Sequence, residues 1–579
     1  MMVPIEPQHV GPANTLFASR RTIYRLFAGA GLFVSLGSSL ALAAAPAIPP
    51  NLNAGAIGNQ FQQAREKKVL PPANTQPALT GPTNKTLTGK PGGVKFLLRR
   101  VEFSQSVFLT PQYLQSVAKP YLNKEVTFAD LRKLLNTINA EYLKRGLLSA
   151  QAILPPQKIR HGLVKVQLIE GKLGKVEIRR PNQNVPPVTT PGFFTSRLPL
   201  EKGQIVDDAG LARAIDYFNR TSNIQLRAAL QPGSQFGLTN VLLYAQEPKR
   251  VTMDFSVDNY GYPGTGRLEG SESLNIFSPL KLDDQLNMYS VQSQGAIDNS
   301  LVYSIPVTSF GTQVGVSYAN SQYTIVNGPY ENLDVKGRSN FFGVNLVQPL
   351  YVNKHWLFDG GLQYGYDVAH TLIGGVDLGA TSVNKWSLGL TVDGTWTRGA
   401  FSMVQTVLYA NGLAPPDQTS HPFIYQGTFY GYFNILPQVY TSLFGGWQYT
   451  PNNTITPDEL FQVGGEYSVR GFPTYVAAGN TGLFSQLELH YQPVSFFDAY
   501  GFFDQAYMWA PVPEYQRLQS AGIGTKWTFT HILARLLHKK LSLSDSLSIN
   551  VWAGFPFNRV TPDQKNYELG AGMVYQIGF

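Results

Sequence analysis

From residue 249 to the end of the chain, apolar and polar residues alternate in short runs. Val251, Met253, Phe255 and Val257 interleave with Thr252, Asp254, Ser256 and Asp258. Trp386, Leu388, Leu390 and Val392 interleave with Ser387, Gly389, Thr391 and Asp393. Leu483, Ser485, Leu487, Leu489 and Tyr491 do so with Phe484, Gln486, Glu488 and His490. The last run carries Leu569, Ala571, Met573, Tyr575, Ile577 and Phe579 on one side, and small or polar residues on the other. A strand sends successive side chains to opposite faces, so each run predicts one oily face and one polar or small face. Counting the runs gives about sixteen antiparallel strands. An even number of such strands closing into a cylinder is the pattern of a membrane β-barrel, with lipid outside and water inside. A barrel of that size has room for an aqueous channel.

The pattern changes upstream. From 96 to 172 it predicts a small β-α-α-β-β module. Phe96, Leu98 and Val101 open a strand, and Tyr113, Leu114, Val117 and Tyr121 follow at helical steps. A second helix starts at Thr127, with Asp130 as the far side of a capping box. Its apolar stripe is Phe128, Leu131, Leu134, Leu135, Ile138 and Tyr142, and Gly146 ends it. Strands follow at Ser149–Leu154 and Val164–Ile169. From 173 to 248 the order recurs: Val176 and Ile178, a helix face of Leu211, Ala214, Ile215 and Phe218, then strands at Ile224–Leu230 and Val241–Gln246. The chain thus contains a module occurring twice. Each core is small, so the two are expected to brace each other.

Residues 1–45 read as a secretory signal: Arg20, Arg21 and Arg25 precede an apolar run that ends in Ala41-Leu42-Ala43-Ala44-Ala45. Residues 46–95 read as a proline-rich linker with one short polar, helix-favouring stretch at Gln60–Lys68. Pro71, Pro72, Pro77, Pro82 and Pro91 disfavour regular structure there. This segment is either a tether or a piece that folds only against something else.

Composition agrees with a barrel. Charged residues are only 14% of the chain, against about 25% in an average soluble domain. The 30 tyrosines, 34 phenylalanines and 55 glycines weigh against a large soluble β protein. With no cysteine, disulfides, thiolate metal sites and a cysteine nucleophile are excluded. The net charge of +9 is scattered rather than clustered, so no nucleic-acid site is read. Neither hydrolase, zinc-protease nor phosphate-loop motifs occur, no cofactor or metal is expected, and the chain does not read as an enzyme. Asp283 and Asp284 read as solvated loop charges. His531–Lys540 reads as a short basic amphipathic helix at the membrane surface.

Several segments then resemble one family. Ala150-Gln151-Ala152-Ile153-Leu154-Pro155-Pro156-Gln157 and Val166-Gln167-Leu168-Ile169-Glu170-Gly171 in the first repeat, Leu230-Gln231-Pro232-Gly233 and Gly237-Leu238-Thr239 in the second, and Asp258-Asn259-Tyr260-Gly261 at the barrel start are similar to motifs of the two-partner secretion transporters of the outer membrane, the haemolysin secretion/activation type. The most specific stretch is Phe461-Gln462-Val463-Gly464-Gly465 followed by Val469-Arg470-Gly471-Phe472. It resembles a loop that folds back into the barrel in the wider superfamily. Its partner would be Asp504, in Phe502-Phe503-Asp504-Gln505-Ala506, where Ala506 stands in place of a glycine.

The resemblance implies two periplasmic POTRA domains, at 96–172 and 173–248, before a sixteen-stranded barrel at 249–579. It implies that Val469, Arg470, Gly471, Phe472 and Asp504 form a loop-to-barrel latch, that the 56–68 helix plugs the pore, and that Tyr575 and Phe579 serve as a C-terminal assembly signal. The expected partners are a large secreted exoprotein, captured unfolded by residues within 96–248, together with outer-membrane lipid, periplasmic chaperones and the barrel-assembly machinery. A partner strand would add to a sheet edge exposed by either POTRA domain. Independently of the family, an ordered loop at 451–480 needs a pin, and an arginine fork on a carboxylate supplies one. In a wet lumen its desolvation cost would be small. An assembly factor for other barrels is the alternative, and a passive porin a weaker one.

Overall fold

The structure is a computed structural model. It describes residues 78–81, 94–181, 186–414, 418–452, 455–509, 516–532 and 544–579. The signal segment, the expected helix at 56–68 and most of the basic segment 531–540 lie outside the described residues.

The barrel closes with sixteen antiparallel strands. They are β1 Val251–Asp258, β2 Glu269–Phe277, β3 Gln285–Gln292, β4 Ala296–Pro306, β5 Gln313–Thr324, β6 Val335–Val352, β7 Trp356–Ile373 and β8 Val376–Trp396. The second half is β9 Gly399–Ala414, β10 Phe423–Leu436 (led in by a short segment Gln418–Ser420), β11 Val439–Tyr449, β12 Thr481–Val494, β13 Phe497–Trp509, β14 Gln516–Thr530, β15 Ser544–Pro556 and β16 Glu568–Gly578. Alternation sets the faces as expected: Phe255, Trp386, Leu388, Leu489 and Leu569 are exposed on the outer wall. Outside a barrel this would be a costly apolar surface; in lipid it is the contact surface. β1 pairs with β16 from Thr252↔Gly578 to Asp258↔Gly572, which closes the cylinder and leaves no free edge. Side chains reinforce this seam. Asn259 exchanges hydrogen bonds with the Leu569 carbonyl and the Ala571 amide, both 2.9 Å, and Arg267 grips Glu568 at 2.7 and 2.9 Å.

Tyr575 lies on β16 in register with Phe255 of β1, and Phe579 projects half exposed just beyond it. The Phe579 amide donates to the Val251 carbonyl at 2.9 Å, so the chain's last residue is tied to the start of the barrel.

The first small domain folds from strands Arg100–Phe103, Ala150–Ile153 and Leu163–Glu170, with Leu163–Glu170 central, parallel to the first and antiparallel to the second. Its long helix, Phe128–Lys144, has the expected capping box between Thr127 and Asp130, and Gly146 follows in a left-handed turn. Its apolar stripe is fully buried at Leu131, Leu134, Leu135, Ile138 and Tyr142. The opening strand is broken rather than continuous, as Phe96–Leu98 and Arg100–Phe103 belong to different sheets. In the second domain the first helix is reduced to Pro191–Thr195, and the main helix is Asp208–Thr221. The two domains do brace each other: buried Asp208 accepts hydrogen bonds from the Ser149 amide, 2.7 Å, and from its hydroxyl.

Two expectations are corrected here. The sheet edge of the second domain is occupied in the middle of Gln225–Pro232, because Leu79–Thr80 from the proline-rich segment pairs parallel with Ala228 and Ala229. Ala78 and Leu79 also pack against that domain's core. In the first domain the Ala152 amide and carbonyl are both taken by the Asn139 side chain, at 2.7 and 3.5 Å. The second correction concerns Asp283 and Asp284, which are buried rather than solvated. They sit in the turn between β2 and β3, where the second domain docks. Asp283 accepts from Ser222 at 2.7 Å and from the Asn223 amide and side chain, while Asp284 accepts from the Leu280 and Leu282 amides and from Tyr303. Arg197 donates to the Thr308 carbonyl and Arg220 to Thr395 across the same junction.

Burial pushes the Asp283 carboxyl up from 3.8 to about 6, more than its hydrogen bonds and Arg197 pull it down. The native junction therefore holds a proton more tightly than a detached or unfolded one. That contribution is full below about pH 4 and is lost as pH rises through about 6. A shift of this size corresponds to roughly 3 kcal/mol. Domain docking, read by limited proteolysis of the second domain in detergent, should weaken between pH 4 and pH 7. Asp283→Asn should flatten that dependence; an unaltered pH profile in the variant would show that Asp283 is not its source.

Candidate functional site

The long connection between β11 and β12 turns into the lumen instead of standing outside. It is a hairpin in which Phe461–Val463 pairs with Ala477–Gly479. The Gly464 amide donates to Ser468 Oγ at 2.7 Å, and the Gly465 amide to the Val469 carbonyl at 3.0 Å, which tightens the tip. Gly471 takes φ +89°, and a Cβ there would press on Gly554 of β15; a Cβ on Gly554 would in turn stand 2.7 Å from the Gly471 amide nitrogen. Both glycines are required by this close approach of loop to wall.

The approach delivers Arg470 onto the inner wall. Its Nε donates to Asp504 Oδ2 at 2.8 Å and its Nη2 to Oδ1 at 2.9 Å, a bidentate fork; the Arg470 amide adds a third bond to Oδ2 at 3.0 Å. Nη1 donates to Glu488 Oε1 of β12 at 2.6 Å. The guanidinium lies 3.8 Å from the centre of the Phe502 ring, a cation–π contact. Ser520 of β14 donates to the Arg470 carbonyl. Val469 and Phe472 flank the arginine and are buried with Phe461, Val463, Ala506, Met508 and Leu518. The Ala506 methyl group is accommodated in this cluster.

The five expected latch residues are thus brought together. Their surroundings differ from expectation: side-chain exposure is 2% for Arg470 and 0% for Asp504, so the pair is dry. The reason is that the loop fills this part of the lumen and carries its own apolar cover. A buried pair held by a bidentate fork is costly to break, because one ion is left unpaired.

Three groups were missed. Glu488 makes the site one cation between two carboxylates. His490, also on β12, bridges Glu488 and Asp498. On another part of the wall, Lys385 of β8 lies 2.7 Å from Glu459 of the loop and 3.7 Å from Asp367 of β7, so the loop is held at its root as well as its tip. Inward-facing charges on alternating strands were the available signal, but pairing them needs the strand register.

A closed sixteen-stranded barrel with two small periplasmic α/β domains and an inward-folded, arginine-pinned loop defines an outer-membrane barrel of the POTRA-bearing transporter class. Residues 237–527 match the family described as haemolysin secretion/activation protein ShlB/FhaC/HecB, and residues 96–171 match the ShlB-type POTRA domain. The chain belongs to the ShlB/FhaC/HecB family. It is similar to the heme/hemopexin transporter protein HuxB of Haemophilus influenzae, 25% identical over 521 residues, covering 83% of this chain and 87% of that one. The outer membrane transporter CdiB of Dickeya dadantii is 23% identical, covering 69% and 73%. The solved structure of CdiB from Escherichia coli superposes with a TM-score of 0.59 at 18% identity, covering 91% of this chain and 99% of that one, a likeness of fold.

Proposed function

We propose that this protein captures a large unfolded exoprotein in the periplasm through its POTRA domains and passes it through the barrel to the cell surface. The family match over barrel and POTRA domain carries this reading. The relatives are transporters by name, among them a hemolysin transporter of Proteus mirabilis. In this reading the chain has no catalytic role, and folding of the cargo outside biases its movement. Residues 1–45 direct export, 46–95 tether a plug helix, 96–172 and 173–248 recognise cargo, and 249–579 form the pore. Val469–Phe472 and Asp504 act as the latch that must yield for the pore to open, and Tyr575 and Phe579 serve barrel assembly.

The seam discriminates against the assembly-factor reading. A factor that feeds strands of other barrels into the membrane needs an edge that opens. Here β1 and β16 are paired from Thr252↔Gly578 to Asp258↔Gly572 and sewn by Asn259 and by Arg267 with Glu568. Co-expression with a large secreted protein encoded beside it tests the proposal. The exoprotein should appear in the medium only when this chain is present; its retention in the periplasm regardless would reject export.

A further inference from the structure

His490 sits where a neutral imidazole cannot satisfy its neighbours. Its Nδ1 lies 3.1 and 3.2 Å from the two oxygens of Asp498, and its Nε2 lies 3.1 Å from Glu488 Oε2. Carboxylates only accept, and a neutral ring has one N–H to give; two carboxylates at opposite nitrogens call for the imidazolium, with both nitrogens donating. The ring is buried and is stacked on Tyr440 of β11, centroids 4.2 Å apart and nearly parallel, with Tyr500 of β13 at 5.1 Å. Tyr440 donates to the same Asp498 at 2.6 Å. Ser442 donates to Glu488 Oε2 at 2.9 Å, and Glu488 Oε1 receives Arg470. Lys526 of β14 is the register partner of Asp498, and Tyr430 of β10 lies within electrostatic reach of Glu488. A continuous chain therefore runs Arg470, Glu488, His490, Asp498, Tyr440. It begins at the loop tip and ends beside Phe497, where β13 leaves the periplasmic turn.

We propose that His490 is a positioning residue held as an imidazolium, which fixes the Glu488 carboxylate against Arg470 and so makes the grip on the lumenal loop depend on pH. The inference rests on the reading of Arg470 as a latch. When the ring loses its proton, one of its two charge-assisted hydrogen bonds goes, and Glu488 loses the cation on its far side. The loop should then be held less tightly on the alkaline side.

The chain has no cysteine, so Ala478→Cys on the loop gives a single spin-label position in the full mature protein in detergent. In the labelled parent the mobile fraction should stay low up to about pH 7 and rise about tenfold once the medium is alkaline enough to take the ring's proton, the factor carried by one lost hydrogen bond to a charged group. With His490→Gln added it should stay at the high-pH level throughout. With His490→Lys, a permanent cation, it should stay low. Nitrogen-15 NMR of the unsubstituted histidine provides a reading that no folding defect can blur: both ring nitrogens should be protonated at about pH 7. A singly protonated ring at about pH 6, or a His490→Gln profile that follows the parent, would overturn the proposal. Arg470→Ala separates the two levels. If it frees the loop at every pH while His490→Gln tracks the parent, only the histidine's role fails. If it leaves the label immobile, the latch itself is wrong.

Discussion

Arg470→Ala is expected to give an inserted, closed barrel that no longer exports its partner. The sixteen strands close through their own ladders, and none of those pairings involves the loop. Arg470, however, makes four side-chain or backbone bonds to Asp504 and Glu488 and covers Phe502. Its truncation leaves the fully buried Asp504 carboxylate without its cation, with only the backbone amide of residue 470 still donating to it, and takes one partner from Glu488. Breaking a buried pair on one side costs about 3–5 kcal/mol, enough to release a loop whose order depends on such contacts. The loss should be local: heat-modifiable migration on a gel should persist, while protease should now cut within 455–480. Arg470→Lys keeps a charge but not the fork, so it should export at an intermediate level. Wild-type export by Arg470→Ala would show that the pin is structural decoration with no part in transport.

The parts of this structure that follow from short-range pattern were legible in the sequence. Trp386, Leu388 and Leu390 could face only lipid once the alternation of period two was recognised. Thr127, Asp130 and Gly146 mark a helix by local chemistry alone. What stayed hidden depends on which distant surfaces meet. Asp283 and Asp284, two acids in a turn, read as solvated because nothing local shows that Ser222 and Asn223 arrive to bury them. Met508 and Leu518 face inward yet are apolar, and only the presence of the loop explains that. Leu79–Thr80 lies among prolines and forms a strand only because an edge at Ala228 receives it. The Arg470–Asp504 pair was found through a family resemblance; Glu488 and His490 were visible as inward charges, but their connection needed the β11–β12–β13 register.

Deleting residues 96–248 should abolish partner binding while leaving a barrel that inserts. An unfolded chain is bound most readily through its backbone, by adding a strand to a sheet edge, because that mode tolerates many sequences. Among the described residues the barrel offers no such edge: β1 is paired on both sides, with β2 and with β16. Its lumen beside β13 and β14 is filled by the Val469–Phe472 loop. Edge strands occur in the two small domains, at Arg100–Phe103, Ala150–Ile153 and Lys172–Arg179, with Gln225–Pro232 already paired by Leu79–Thr80 at Ala228 and Ala229. The deletion removes all of these together. It also uncovers Phe277 and Leu282, which pack against the second domain's core, and the Asp283 carboxylate, which water can then solvate. These losses fall at the turn between β2 and β3, and with them go the bonds from Arg197 to Thr308 and from Arg220 to Thr395; none is a backbone bond of a strand ladder. Binding of an immobilised N-terminal fragment of the exoprotein should therefore drop below detection, with heat-modifiable migration intact. Undiminished binding by the truncated barrel would move recognition to the pore or to residues before 96, and the POTRA domains would need another role.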